Sequence, residues 1–249
     1  MSKALIISDL HLEHGEPFVV KKIEGVEYLI LAGDIGSFKS HLPFIKDACT
    51  KYKVINILGN HEPYGYSLKE VRDFWKSVQL ENFYFLDNSS VVLDGIRFIG
   101  TTLWTDFDNE NQLRIMTAKN AIKDFVKIIK DDNSGHITPM DILEEFKESR
   151  KLIEHELSIN DGNIQVLITH HAPSYMSVDK RYDGHPNNAY FASNLDNLIG
   201  YSNLSLVVHG HMHTHVDYML GTKRVVANPR GYPGNVISGF DPEFVIKLK

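Results

Sequence analysis

A chain of 249 residues with a single cysteine, Cys49, has no internal disulfide and is long enough to bury a core without one. Its formal net charge of −6 removes the electrostatic drive for non-specific nucleic-acid binding, and no apolar run is long enough to span a membrane. With one cysteine, and no cleavage-site pattern ahead of the acidic Asp9, the expected location is cytoplasmic.

Lys3 to Ser8 is a short apolar run rich in β-branched residues, and it predicts a buried strand ending at Asp9-Leu10-His11. Residues 28–32 predict a second, ending at Gly33-Asp34. Between 38 and 52, Leu42, Ile45, Ala48 and Cys49 fall three or four apart, so an amphipathic helix is expected. A third strand over 54–58 ends at Gly59-Asn60-His61-Glu62. Ser67 and Glu70 have capping-box spacing and start a helix running to about Gln79. This alternation of strand and helix predicts parallel pairing.

Residues 83–100 hold three short strands, the last two joined at the hairpin signal Asp94-Gly95. Residues 106–160 are polar and helical by pattern, broken at 131–135, and predict one helical hairpin laid over the sheet. Thr138-Pro139 marks the start of its second helix. Residues 164–169 predict a strand ending at His170-His171, residues 174–194 a surface loop, and Leu204 to Val208 a strand entering the cluster 209–215. A hairpin over 216–227 and a last strand over 244–248 follow. The chain carries no internal repeat or low-complexity linker, so one domain over 1–249 is the expected organisation.

Five apolar runs thus end in possible ligands. They are Asp9 and His11; Asp34; Asn60 and His61; His170 and His171; and a cluster with four histidines, His209, His211, His213 and His215. Residues beyond the carboxyl ends of parallel strands converge in one crevice. Asp9 and His11 are two apart, as are His211 and His213, so in extended chain each pair faces one side. Mixed carboxylate, imidazole and amide donors suit borderline divalent ions rather than calcium. The donor count favours two ions: seven side chains exceed what one tetrahedral centre needs, and a carboxylate such as Asp34 can bridge.

The motif series Asp9-Leu10-His11, Gly33-Asp34, Gly59-Asn60-His61-Glu62, His170 and Gly210-His211-Met212-His213 resembles that of the calcineurin-like metallophosphoesterases, in the same order. The blocks Gly100 to Phe107 and Asn228 to Tyr232 resemble an uncharacterised bacterial and phage branch. The resemblance implies an α/β fold, a four-layer αββα sandwich of two mixed sheets flanked by helices. It also implies two divalent metal ions, with manganese as the first expectation and Fe, Zn, Ni or Mg as further candidates. One metal would take Asp9, His11, Asp34 and His213. The other would take Asp34, Asn60, His170 and His211. The expected reaction is hydrolysis of a phosphomonoester or phosphodiester by a metal-bridging hydroxide, with His61 contacting the phosphate and protonating the leaving oxygen, and Asn60 beside it. Substrates would be phosphorylated small molecules or phosphoproteins, and the insertion at 106–160 and the 174–194 loop would select them. Many members place a second aspartate three residues after the bridging one, as a partner for the GNH histidine. Here that position is Ser37, which leaves the partner of His61 to Glu62 or another carboxylate.

The remaining candidates carry two readings each. His171 competes with His170 as ligand and is otherwise a substrate contact. His209 is either a support to the ligands or a satisfied core histidine. Arg230 binds a phosphate or holds a loop by a salt bridge. Trp104 and Phe107 read as packing, and the charged faces at 119–132 and 141–156 as solvated helix surface. His14, His41, His136, His155 and His185 carry no spacing signal and read as surface residues. Two alternative functions remain: a nuclease of the same fold, and a non-catalytic interaction scaffold.

Overall fold

The computed structural model describes residues 2–248. The strands are β1 (Lys3–Ile7), β2 (Tyr28–Ala32), β3 (Lys53–Ile57), β4 (Phe83–Phe85), β5 (Ser89–Leu93), β6 (Ile96–Thr101), β7 (Ile164–Thr169), β8 (Leu204–His209), β9 (Val216–Leu220), β10 (Lys223–Ala227) and β11 (Val245–Lys247). They form a five-stranded sheet ordered β11-β1-β2-β3-β4 and a six-stranded sheet ordered β5-β6-β7-β8-β10-β9. β1 to β4 pair parallel with β11 antiparallel at the edge. In the second sheet β6, β7, β8 and β10 run parallel, and β5 and β9 close the edges antiparallel.

Side-chain alternation builds the layers. Ala4, Ile6, Ile30, Ile55 and Ile57 face Phe98, Val166, Ile168, Val208 and Val226 between the sheets. The intervening residues Leu5, Ile7, Leu29, Leu31 and Val54 point outward, against α1 (Leu42–Cys49) and α2 (Leu68–Ser77). On the other side Ile99, Leu167, Val207 and Val225 take Phe146 and Ile153 of the helix Pro139–Ser158. The result is the four-layer αββα sandwich, with helices on both outer faces. Both signalled caps form: Ser67 and Glu70 make a reciprocal capping box, and so do Thr138 and Asp141. Asp94 and Gly95 both take positive φ in the β5–β6 turn, as a two-residue hairpin requires. Among the described residues no helix is long and apolar enough to cross a membrane.

The segment 106–160 is more broken than a simple hairpin. Phe107 to Glu110 form a turn with four successive positive φ angles, followed by Gln112–Ala121, a single turn Asp124–Lys127, and only then Pro139–Ser158. Its first half packs around Trp104, Phe107, Phe125, Ile128 and Tyr190 in a fourth apolar cluster. Residues 174–194 form the expected surface loop over their exposed middle, 180–186, but not at their ends, where Ser174, Ser177, Ala189, Tyr190, Ala192 and Ser193 are buried; short helical turns over 175–177, 180–182 and 188–191 shape the segment. Aromatic side chains without periodicity pack against the insertion, which no local pattern foretells.

His41 corrects a second expectation. It is buried and stacks on Trp75 at 4.5 Å, and neither ring nitrogen has a side-chain hydrogen-bond partner among the described residues. Burial pushes its pKa down to about 3. Between pH 6.5 and about 3 the unfolded chain binds a proton that the folded ring refuses, so stability falls as the pH drops below the free-histidine value. His41→Phe removes that linkage. From pH 7 to pH 5 wild type is expected to lose roughly 2 kcal/mol more unfolding free energy than the variant. Urea titrations of both proteins at both pH values test this, and parallel acid losses would contradict it.

Candidate metal centre

The parallel strands of both sheets end on one side of the molecule. β1 delivers Asp9 and His11, β2 Asp34, β3 Asn60 and His61, β7 His170, and β8 His211 and His213. The pairs two apart do not converge by extended alternation. Asp9, His11, Asp34, His211 and His213 all have positive φ, so each strand breaks into left-handed backbone where its donors begin. Such residues cost on the order of 1–3 kcal/mol each and persist where surrounding contacts over-determine them. Here cross-loop hydrogen bonds do so. His11 N donates to Asp34 O and Asp9 N to Gly33 O, both at 3.0 Å; His61 N donates to Asp34 Oδ1 at 2.9 Å, and His211 N to the Asp9 carboxylate at 3.1 Å. Gly59 allows the closest approach: a Cβ there would sit 2.1 Å from Asp34 Oδ1.

Two donor groups result, and Asp34 stands between them. On one side His11 Nε2 and His213 Nε2 lie 3.1 Å apart, with Asp9 Oδ1 3.3 Å from His213 and Asp34 Oδ2 3.8 Å from His11. On the other, His170 Nε2 lies 3.0 Å from Asn60 Oδ1, 3.2 Å from His211 Nδ1 and 3.4 Å from Asp34 Oδ1. His170 Nδ1 donates to Ala32 O at 2.9 Å, so Nε2 offers its lone pair inward. A lone pair facing an amide oxygen at 3.0 Å needs positive charge between them, from a proton or a cation. The residues fit divalent ions on this ground. Burial works against charge throughout, yet Asp34 pushes the His170 ring up to about 10, while His170, His61 and His11 hold Asp34 well below the usual carboxylate range.

His61 lies beside both groups. Its Nδ1 faces Glu13 Oε1 at 3.2 Å, its Nε2 faces the Tyr232 hydroxyl at 3.3 Å, and its ring stacks on Tyr64 at 4.2 Å. Burial disfavours its charged form, but Asp34 and Glu13 hold the ring up at about 9. Glu13 also meets His11 Nδ1 at 3.2 Å, which turns His11 Nε2 toward the first group. Where the resemblance expects a carboxylate at Ser37 to face His61, the carboxylate that faces it here is Glu13, from the β1 loop.

Glu62 does not touch the His61 ring. Its carboxylate accepts from Gly59 N at 2.7 Å, Ile35 N at 2.9 Å and Asp34 N at 3.2 Å, and so ties the β2 loop to the β3 loop. Burial, reinforced by Asp34, pushes its carboxyl up to about 8 against the pull of the Ile35 and Gly59 amides. Glu62→Ala leaves those buried donors without an acceptor. The expected loss is about 3 kcal/mol of unfolding free energy in metal-free protein, read from the urea midpoint at unchanged slope. A loss below roughly 1 kcal/mol would show that water replaces the carboxylate.

The other candidates lie away from the opening. His171 is buried against Trp104 and the His211 ring, which is 4.0 Å away, and does not line the cleft. Burial and the charge of His170 hold its pKa well below the free value. His209 is a satisfied core histidine: Nε2 meets Ser177 Oγ at 2.8 Å and Nδ1 meets Gly210 O at 2.9 Å. Arg230 pairs with Glu16 and lies over Phe18, so it holds a loop rather than facing the cleft. His215 packs on Phe244. His14 and His185, read as plain surface, both line the cleft.

A model of the calcineurin-like phosphoesterases matches residues 2–215. The chain belongs to this family. An uncharacterised protein of Acanthamoeba polyphaga mimivirus is 26% identical over 256 residues, covering 91% of this chain and 90% of the relative. In fold the chain is similar to a phosphopantetheinyl hydrolase from Mycobacterium tuberculosis, with a TM-score of 0.69, 16% identity, and coverage of 94% of this chain and 90% of that one. It is also similar to a dimetal phosphatase from Danio rerio, with a TM-score of 0.50, 12% identity, and coverage of 90% and 86%. As a calcineurin-like phosphoesterase the chain departs from the motif series in its use of Glu13. That residue stands two after His11, and the spacing Asp9-x-His11-x-Glu13 was the available signal. Tyr232 lies in a block already set apart at 228–232, and nothing local distinguished it from Arg230. Asp124, the third residue missed, lies in the charged stretch 119–132 that reads as solvated helix surface.

Proposed function

We propose that this protein is a metal-dependent phosphoesterase that hydrolyses phosphomonoester or phosphodiester bonds at a binuclear centre. The observation that carries the proposal is the placement of Asp34, whose two oxygens face two separate donor groups. Asp9, His11, His213 and Asp34 would hold one divalent ion, and Asp34, Asn60, His170 and His211 the other. When bound, the two ions would polarise the phosphoryl group and lower the pKa of water enough to make it a nucleophile at neutral pH. The chain's own contribution is positioning. Glu13 fixes Nδ1 of His61, which leaves Nε2 directed into the cleft beside Tyr232 to pass a proton to the leaving oxygen. The cleft holds about 1240 Å³, room for an organic group well beyond the phosphate itself. Aromatic side chains Tyr64, Tyr190 and Phe191 line it together with Lys123 and Lys127. Those two lysines, both on the insertion, fall short of the basic strip that the nuclease reading asks for. The scaffold reading asks for lost ligands, and all seven donors are present.

The test is hydrolysis of an aryl phosphate and a bis-aryl phosphodiester by protein stripped of metal and reloaded with Mn, Ni, Zn or Mg. Turnover on either substrate that requires the metal is the expected result, with manganese the strongest. Fully loaded protein inert on both substrates would return the scaffold reading. Cleavage of single-stranded DNA with a steep salt dependence would return the nuclease.

A further inference from the structure

Among the described residues, Asp124 is the one fully buried carboxylate that touches a donor of the centre and that the family's motif series does not supply. It opens the single turn Asp124–Lys127 of the insertion, anchored by buried Phe125 and Ile128. Its side chain is 1% exposed and forms no ion pair among the described residues. Three donors satisfy it instead. Asn60 Nδ2 reaches its two oxygens at 3.0 and 3.2 Å, the Tyr64 hydroxyl donates at 2.5 Å, and the Tyr190 hydroxyl completes the set. Burying a carboxylate without a cation is costly, and an apolar residue would pack the turn more cheaply.

An amide ligand has two ends of opposite character. Asn60 must present Oδ1, now 3.0 Å from His170 Nε2, and not its NH2. Rotation by a half-turn would aim two N–H dipoles at the cation. Asp124 accepts only, so it holds Nδ2 and leaves Oδ1 for the centre. Tyr64 and Tyr190 in turn hold Asp124 from β3's loop and from the 188–191 turn.

We propose that Asp124 is a positioning residue for the second cation site, acting through Asn60, so that the insertion completes the metal centre as well as walling the cleft. The proposal rests on the assignment of Asn60 as a ligand made above. It makes metal binding and insertion packing reciprocal: whatever loosens one weakens the other.

Manganese titration of full-length protein by calorimetry tests it, using wild type, Asp124→Asn, Asn60→Ala and the double variant. Wild type is expected to take two Mn ions. Asp124→Asn is expected to weaken one of them about 10–100-fold and spare the other. Asn60→Ala should weaken the same ion, and the double variant should lose no more than Asn60→Ala alone, because the two act through one contact. Backbone hydrogen exchange over 112–128 should slow on Mn addition in wild type and not in Asp124→Asn. Unchanged Mn affinity in Asp124→Asn, or additive losses in the double variant, overturn the positioning role alone. A wild type that binds fewer than two Mn ions overturns both this proposal and the binuclear reading beneath it. Should Asp124→Asn fail to fold, Tyr64→Phe and Tyr190→Phe replace it. Each removes one donor from Asp124 without altering a cation donor, and each is expected to weaken the same ion several-fold. Wild-type Mn binding in both overturns the proposal.

Discussion

Asp34→Asn is expected to strip both cations in practice: Mn content should fall from two per chain to below one, and kcat/KM on an aryl phosphate by on the order of 10³-fold, the several kcal/mol that metal stabilisation supplies. The variant keeps the size of the side chain and loses its charge at both donor groups. It also replaces one oxygen by an NH2 that repels a cation. The backbone decides which. His61 N donates to Oδ1 at 2.9 Å, so the amide oxygen takes that position and the NH2 turns toward His11 and His213. The site built on Asp9, His11 and His213 should therefore lose more affinity than the site built on Asn60, His170 and His211. Metal analysis after dialysis, together with titration of the remaining sites, checks both parts. Retention of one ion at wild-type affinity would show that Asp34 is not shared.

The fold was largely legible in the sequence because its core strands are short apolar runs bounded by glycine and polar residues. Residues 28–32, 164–169 and 204–208 each needed only a short, mostly apolar run to be read as strands, and the hairpin at Asp94-Gly95 was written in two residues. The convergence of Asp9, Asp34, Asn60, His170, His211 and His213 was legible for a topological reason. In parallel sheets the strand ends meet, so order along the chain predicts proximity in space. The local geometry was not legible. Alternation in extended chain gave the correct neighbours for Asp9 and His11 by the wrong route, since both are left-handed. That conformation is imposed by bonds such as His11 N to Asp34 O, which join residues more than twenty apart.

The same physics explains what went unseen at the site. Asp124 sits in a stretch whose pattern, with Lys119, Lys123 and Lys127 around it, reads as solvated helix surface. Only the packing of Phe125, Ile128 and Tyr190 turns it inward. His41 likewise carries no periodic signal, and the ring of Trp75 on α2 is what buries it. A buried polar group is defined by partners from other elements, so single-sequence patterns reveal it only when a motif names it. Glu13 was the exception that could have been found. It extends an existing motif at its own spacing of two, where Ser37 had left a carboxylate to be accounted for.

His61→Ala is expected to keep both cations and lose about 10²–10⁴-fold in kcat, the range for removal of a positioned general acid. The size of the loss should depend on the leaving group. A nitrophenolate departs without a proton, whereas an alkoxide needs one, so the deficit should be small on an aryl phosphate with a good leaving group and large on an alkyl phosphate. Parallel losses on both would assign His61 to phosphate binding instead of proton transfer. Loss of metal would make it a ligand. Glu13→Gln separates the ring's protonation from its presence. It keeps the shape of Glu13 and removes the charge that faces Nδ1 at 3.2 Å and helps hold the ring protonated, so fewer rings carry the Nε2 proton that the leaving oxygen needs. A kcat lowered roughly tenfold, with the same dependence on leaving group, is the expected signature. Because Glu13 also meets His11 at 3.2 Å, Mn content has to be measured beside turnover. A fall in kcat that tracks metal loss would move the role of Glu13 from His61 to His11, whereas full Mn loading with lowered kcat would place the Glu13–His61 pair on the path of the proton.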